Sequence, residues 1–266
     1  MTAGPTSARD LLAFYLEAGA DALVGEEPVD RFAAPAPPPR PAPPPRAAQT
    51  RSAQQPLVAA PAFAPAVPEA AAMEAREAAR SAGTLDELRA ILEGFEGCAL
   101  KATATQLVFS DGNPQGRLML VGEAPGRDED IGGLPFIGRS GKLLDRMLAA
   151  IGLDRNSVYI ANVVPWHPPG NRTPTPQETQ ICLPFVRRQI ELADPDVLVC
   201  LGGPSSQTLL GQSGITKIRG RWFPFDTGRR EIRAMPTFHP AFLLRSPLQK
   251  RFAWRDFLAI KKALSG

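Results

Sequence analysis

Cysteine is scarce in this 266-residue chain. The three residues, at 98, 182 and 200, do not form the dense framework of a disulfide-stapled secreted protein. No apolar run approaches the length of a membrane span, and the N-terminus lacks a basic region followed by a hydrophobic core. These absences exclude a membrane-spanning reading and lead to the expectation of a cytoplasmic, monomeric protein. Histidine is nearly absent too, with two residues, so each is worth weighing as a chemical group.

Proline, by contrast, is abundant and unevenly placed: 13 of 29 lie between Pro28 and Pro68. The stretch RFAAPAPPPRPAPPPR and its continuation have no apolar period and cannot bury enough surface to offset chain entropy. Residues 31–82 are therefore expected to be a disordered Pro/Ala-rich linker. Before it, in residues 1–30, Leu12, Tyr15, Leu16 and Leu23 stand at helical spacing behind a Ser7 cap. One short amphipathic helix is not a domain; it either docks on the main body or binds an unknown protein partner.

The net charge of +3 conceals a strong asymmetry. Lys217 to Lys262 holds twelve Lys/Arg against Asp226, Glu231 and Asp256, a local +9, so the remainder carries −6. With Trp222, Phe242, Phe252 and Trp254 among these charges, the C-terminal quarter suits a polyanion. A solvated surface would look the same by charge alone.

From about residue 83 the pattern becomes α/β. Short, continuously apolar strands are expected at Arg117–Val121, Val158–Val164, Val197–Leu201 and Ala234–Phe238. Helices are expected at about 84–95, 141–151, 176–192, 204–210 and 250–264. That over 176–192 is marked by a Thr175 cap, Pro176 in the first turn and Glu178 closing a capping box. Alternating strands and helices imply right-handed crossovers, hence a three-layer α/β/α sandwich around a four-stranded parallel sheet. Ligands of such sheets lie beyond the strand carboxyl ends. The residues of chemical interest follow or end these strands: Glu123, Asn162, Gly202-Gly203 and His239.

GEAPGRDED lacks the lysine and hydroxyl of a nucleotide-triphosphate loop and does not match GxGxxG. Its carboxylates, Glu123 and the Glu129-Asp130 pair, could orient water or stabilise a developing cation. Asp128 reads as solvated. Phe136, in the glycine-rich LPFIGRSG, is either a core plug or a stacking platform for a planar ligand. Asn162 interrupts the apolar run VYIANVV; a buried amide needs partners, and its donor and acceptor suit a nucleobase edge. His239, in TFHPAFLLRS, can donate to a developing oxyanion or merely cap the strand, and the apolar residues after it suit a wedge between bases. His167 reads as structural.

Together GEAPGRDEDIGGLPFIGRSG, NVVPWHPPGNRTPTPQE and HPAFLLR resemble the uracil-DNA glycosylase superfamily, closest to family 4, from about Leu92 to Leu264. The resemblance implies hydrolysis of the N-glycosidic bond of deoxyuridine in single- or double-stranded DNA, starting base excision repair. It implies that Glu123, Glu129 and Asp130 handle water and that Gly122, Ala124, Pro125 and Gly126 line the base pocket. Phe136 would stack on uracil, Asn162 would read its O4 and N3–H, and His239 would stabilise the O2 anion. Arg139, Ser140, Phe242, Leu243, Leu244 and Arg245 would contact DNA, with Leu243 or a neighbour filling the gap left by the flipped base.

The chain departs from the family in two respects. Ala124 and Gly126 stand where GQDPYH members carry Asp and Tyr, leaving thymine exclusion without an obvious residue. Family 4 enzymes hold a 4Fe-4S cluster with four cysteines, of which only Cys98 and Cys182 stand at matching positions. Lys101 and Trp166 replace the others, so no cluster is expected. The alternatives to a glycosylase are a DNA-binding module that traps damaged bases with little turnover, or a nucleotide-binding α/β protein.

Overall fold

A computed structural model describes residues 68–265. The expected helix of residues 1–30 lies outside the described residues, as does the linker as far as 67. The linker's expected end at 82 needs correction, because Pro68–Ser81 is helix α1. Ala71, Ala75 and Ala79, four residues apart, form a stripe of small side chains that packs on helix α5, defined below. Alanine has the highest helix propensity and little bulk, so it produced no apolar signal in the sequence while still allowing close helix packing.

Helix α2 (Leu85–Gly94) follows, capped by Thr84, whose side chain accepts from the Glu87 amide. Strand β1 is Asp111–Gly112, β2 Leu118–Gly122, β3 Val158–Asn162, β4 Val197–Leu201, β5 Phe223–Asp226 and β6 Glu231–Thr237. Their order is β1-β3-β2-β4-β6-β5. The four inner strands are parallel, with Leu118 opposite Val158 and Val197, and Val197 opposite Arg233. These are the four strands expected from their apolar runs. The sheet itself has six, because β1 and β5 add antiparallel edges. Two residues, or four with a proline inside, give no continuous apolar run, since an edge strand needs little burial.

Between β2 and β3 run α3 (Arg127–Gly132) and α4 (Arg139–Ala150). Helix α5 (Pro176–Ala193) links β3 to β4, and α6 (Gly203–Leu210) and α7 (Ile215–Ile218) follow β4. After β6 come α8 (Pro240–Arg245) and α9 (Lys250–Ser265). Alternate strand residues feed two cores. Leu118, Leu120, Ile160 and Val199 meet α4 and α9, while Met119, Val121, Tyr159 and Leu198 meet α1, α2 and α5. Both faces are covered, as the three-layer expectation required. No described helix is long and apolar enough to cross a membrane.

The connection from β2 leads to β3 on one side, and that from β4 leads through the edge strand β5 to β6 on the other. Chain ends that diverge in this way open a crevice at the carboxyl edge of the sheet, where ligands bind in such folds.

Candidate active site

A cavity of about 640 Å³ opens at that edge. Glu123, Phe136, Asn162, Gly202 and His239 all line it. Backbone bonds from Val163 to Gly122 O and from Val164 to Glu123 O continue the β2–β3 pairing beyond the strands, which sets Glu123 beside Asn162. Gly122 has to be glycine here: a Cβ would lie 2.4 Å from Asn162 Oδ1 and 2.7 Å from Phe136 Cζ.

Among the described residues, two buried side-chain oxygens lack any hydrogen-bond partner: Glu123 Oε1 and Asn162 Oδ1. Leaving a buried acceptor empty costs about 1–3 kcal/mol, more for a charged group. Native proteins tolerate this mainly where a ligand or water completes the site. Burial also raises the Glu123 carboxyl above the ordinary glutamate range.

His239 caps α8, and its Nδ1 accepts from the Ala241 amide at 3.1 Å. The neutral ring therefore carries its proton on Nε2. Burial, then the nearby Arg245 cation, pushes its pKa down to about 4, so the ring is uncharged at neutral pH. The strand leading to it is fixed by a buried network in which Asp256 accepts from Thr237 Oγ1 at 2.7 Å and from Arg219 Nε at 2.9 Å.

Phe136 is buried, and its ring centroid lies 5.4 Å from that of His239, with 31° between the planes. Its φ of 56° is left-handed, an uncommon conformation for a residue with a Cβ, costing about 1–2 kcal/mol.

The three carboxylates expected to share the handling of water are in different situations. Glu129 accepts from the Gly126 amide at 3.1 Å and the Gly138 amide at 3.0 Å, clipping the two glycine turns together. Asp130 accepts from the Thr105 amide at 2.9 Å and the Thr105 hydroxyl at 2.6 Å. Both acids hold the loop through bonds to the chain itself, whereas Glu123 keeps a buried oxygen without a partner. Asp130 also lies 3.8 Å from His167, which reaches Asn171 at 2.9 Å, so His167 links its own loop to α3.

Of the residues expected on DNA, Ser140, Phe242 and Arg245 line the cavity and Arg139 is exposed at the start of α4. Leu243 does not fit the expected wedge, because it is 1% exposed and packs with Phe238 and Ala253. The helical turn of α8 points it inward and leaves Leu244 37% exposed; Leu248, beyond the helix, is 84% exposed. Sequence reasoning missed Leu248, and also the loop Pro168–Pro174, which forms a cavity wall. The signal for that loop was present in NRTPTPQE. Arg172 forks onto Glu178 at 2.6 and 2.8 Å, tying the loop to the capping box of α5.

The four-cysteine site does not assemble from these residues. Cys98 and Cys182 are buried with their sulfurs 3.9 Å apart. At the other two positions, Lys101 Nζ donates to Glu93 O at 2.7 Å and to Glu96, and Trp166 is fully buried in the same core. Cys200 lies within β4, its thiol pushed up to about 12 by burial. Two thiols with an ammonium and an indole cannot supply the donors of such a cluster.

The profile of the family described as the uracil DNA glycosylase superfamily matches residues 109–258, more than half of the chain. The chain belongs to this superfamily. It is 38% identical over 182 residues to a type-4 uracil-DNA glycosylase of Archaeoglobus fulgidus, covering 66% of this chain and 92% of the relative. A type-4 uracil-DNA glycosylase of Thermotoga maritima is 44% identical over 151 residues, 56% of this chain and 77% of that one. A third, from Sulfurisphaera tokodaii, is 37% identical over 67% of this chain and 84% of its own length. These type-4 relatives support the placement beside family 4 drawn from the three motifs.

Proposed function

We propose that this superfamily member hydrolyses the N-glycosidic bond of deoxyuridine in DNA after flipping the nucleotide into the cavity. The observation that carries this reading is the pair of orphaned oxygens, Glu123 Oε1 and Asn162 Oδ1, facing one cavity with a neutral histidine and an aromatic ring. Asn162 Oδ1 accepts the uracil N3–H while its Nδ2 donates to O4; cytosine presents the opposite pattern and leaves both bonds unmade. Phe136 stacks on the ring. As the bond to the sugar breaks, negative charge gathers on uracil and positive charge on the sugar. His239 Nε2–H donates to the O2 anion, and Glu123 accepts a hydrogen bond from the attacking water and faces the sugar cation.

The basic surface of the C-terminal quarter binds phosphates, and the first-turn amides of α4 at Arg139 and Ser140 add donors for the same purpose. Leu244 and Leu248 supply the apolar wedge in place of Leu243. All these groups come from one chain, so the site needs no second copy to complete it, in keeping with a monomeric enzyme.

Release of free uracil from a labelled single-stranded oligonucleotide tests the activity. Tight binding of abasic or uracil-containing DNA without release would leave a trapping module instead. Asn162→Ala is expected to lower uracil release by about 10- to 200-fold, through loss of two hydrogen bonds in a buried pocket. An unchanged rate would remove Asn162 from the site.

We further propose that the enzyme works without an iron–sulfur cluster, the strap around Cys98 being held by Lys101 and the Trp166 packing. Trp166→Ala is expected to cost about 3–5 kcal/mol, seen as a lower urea midpoint. Stoichiometric iron in anaerobically prepared protein would overturn the cluster-free reading.

A further inference from the structure

We infer that Arg155 is a positioning residue for the base-stacking ring, holding Phe136 in the left-handed conformation that turns it toward the pocket. Arg155 sits in the 3-10 turn before β3 and does not line the cavity. One guanidinium reaches both carbonyls around Phe136: Nη1 donates to Pro135 O at 3.1 Å, and Nη2 donates to Phe136 O. These carbonyls belong to the two peptide planes on either side of the Phe136 Cα. Fixing both planes fixes φ and ψ of that residue, here at a positive φ that few side-chain-bearing residues adopt unaided.

The guanidinium is itself held from two further elements. Its Nε donates to Asp145 Oδ1 of α4 at 2.8 Å, and Nη1 donates also to Asp111 of β1. Asp111 and Asp145 place two carboxylates around a side chain that is 22% exposed, so its charge is compensated where it sits. Gly141 completes the arrangement, because a Cβ there would lie 1.5 Å from Phe136 O. The carbonyl is thus received by a gap on α4 and a donor on Arg155. On the far side of the backbone, the Phe136 ring meets Gly122 and lies beside His239. A planar fork with five donors can make this set of bonds, whereas a lysine cannot.

The inference rests on the reading that Phe136 stacks on the flipped uracil, and the test separates the two. The probe is an oligonucleotide carrying 2′-fluoro-deoxyuridine, whose fluorine disfavours the oxocarbenium-like transition state and so slows cleavage. The control is the same strand with 2′-fluoro-deoxycytidine at that position. The ratio of the two affinities reads the base pocket, since backbone contacts cancel. Arg155→Ala and Phe136→Ala are each expected to lower this ratio about tenfold, and the double variant no further. Arg155→Lys, which keeps the charge, is expected to fall nearly as far. Asp145→Asn, on a half-exposed helix face, loosens the clamp without removing it and should give a smaller fall; it also serves if Arg155→Ala does not fold.

A lower melting temperature with an unchanged ratio in Arg155→Lys and Asp145→Asn would make Arg155 a brace of the fold and overturn the inference. Additive losses in the double variant would overturn it too, because Arg155 would then act elsewhere than through Phe136. If Phe136→Ala itself leaves the ratio unchanged, the stacking reading fails and the inference fails with it.

Discussion

Glu123→Gln is expected to lower single-turnover uracil release by about 10²–10⁴-fold, the range of a positioned acid–base group. The substitution keeps the shape and removes the charge proposed to face water and the sugar cation. The same variant should be more stable than the parent at neutral pH. The folded-state pKa of Glu123 lies above its unfolded value because burial penalises the carboxylate. The folded protein therefore holds this proton more tightly, and the contribution to stability is lost as pH rises from the ordinary glutamate value through the raised one. Above that window the parent carries a half-buried charge with one orphaned oxygen and the glutamine variant does not. Urea denaturation at acid and neutral pH measures the difference, which should open only at the higher pH. A variant that keeps its activity, or that loses stability at neutral pH, would remove Glu123 from the proposed role.

His239→Ala is expected to reduce release by about 10²–10³-fold, as for loss of one donor to a developing anion. The pH profile distinguishes the neutral donor from a charged one. With its pKa held down at about 4, His239 is already uncharged from about pH 5 upward, so its titration adds no limb near the ordinary histidine value. The acid limb of kcat/KM in the parent is expected to belong to Glu123 and, because burial raises its pKa, to lie above the ordinary glutamate value. His239→Ala should keep that limb at a lower height, and Glu123→Gln should abolish it. A limb near pH 6.5 that disappears in His239→Ala would mean that the imidazolium is the working form.

The two residues show why part of the site was legible beforehand. A polar residue or glycine at the end of a buried strand, or just beyond it, breaks a strong apolar pattern. Glu123, Asn162, Gly202 and His239 each do so at the same end of four parallel strands. Parallel strands with both faces covered must be apolar throughout, so their residues, their ends and the edge that collects the chemistry could be read from the chain. The Thr84 cap and the Thr175 capping box were equally readable, because their bonds span three residues.

Other features depended on contacts between segments distant in the chain. Glu129 and Asp130 look like Glu123 in the sequence, yet the amides of Gly126, Gly138 and Thr105 occupy their oxygens. Leu243 and Leu244 are neighbours of the same type, and only the turn of α8 over Phe238 and Ala253 buries one and exposes the other. Arg155 reaches Pro135 and Phe136 across about twenty residues, a distance that no local pattern encodes. The sequence by itself determined the parallel core, its working edge and the missing cluster cysteines, because apolar periodicity and side-chain chemistry are local properties. Tertiary structure alone decided which carboxylate keeps a free oxygen, which leucine stays exposed and what holds the Phe136 backbone, because burial and hydrogen bonding exist only between segments that the fold brings together.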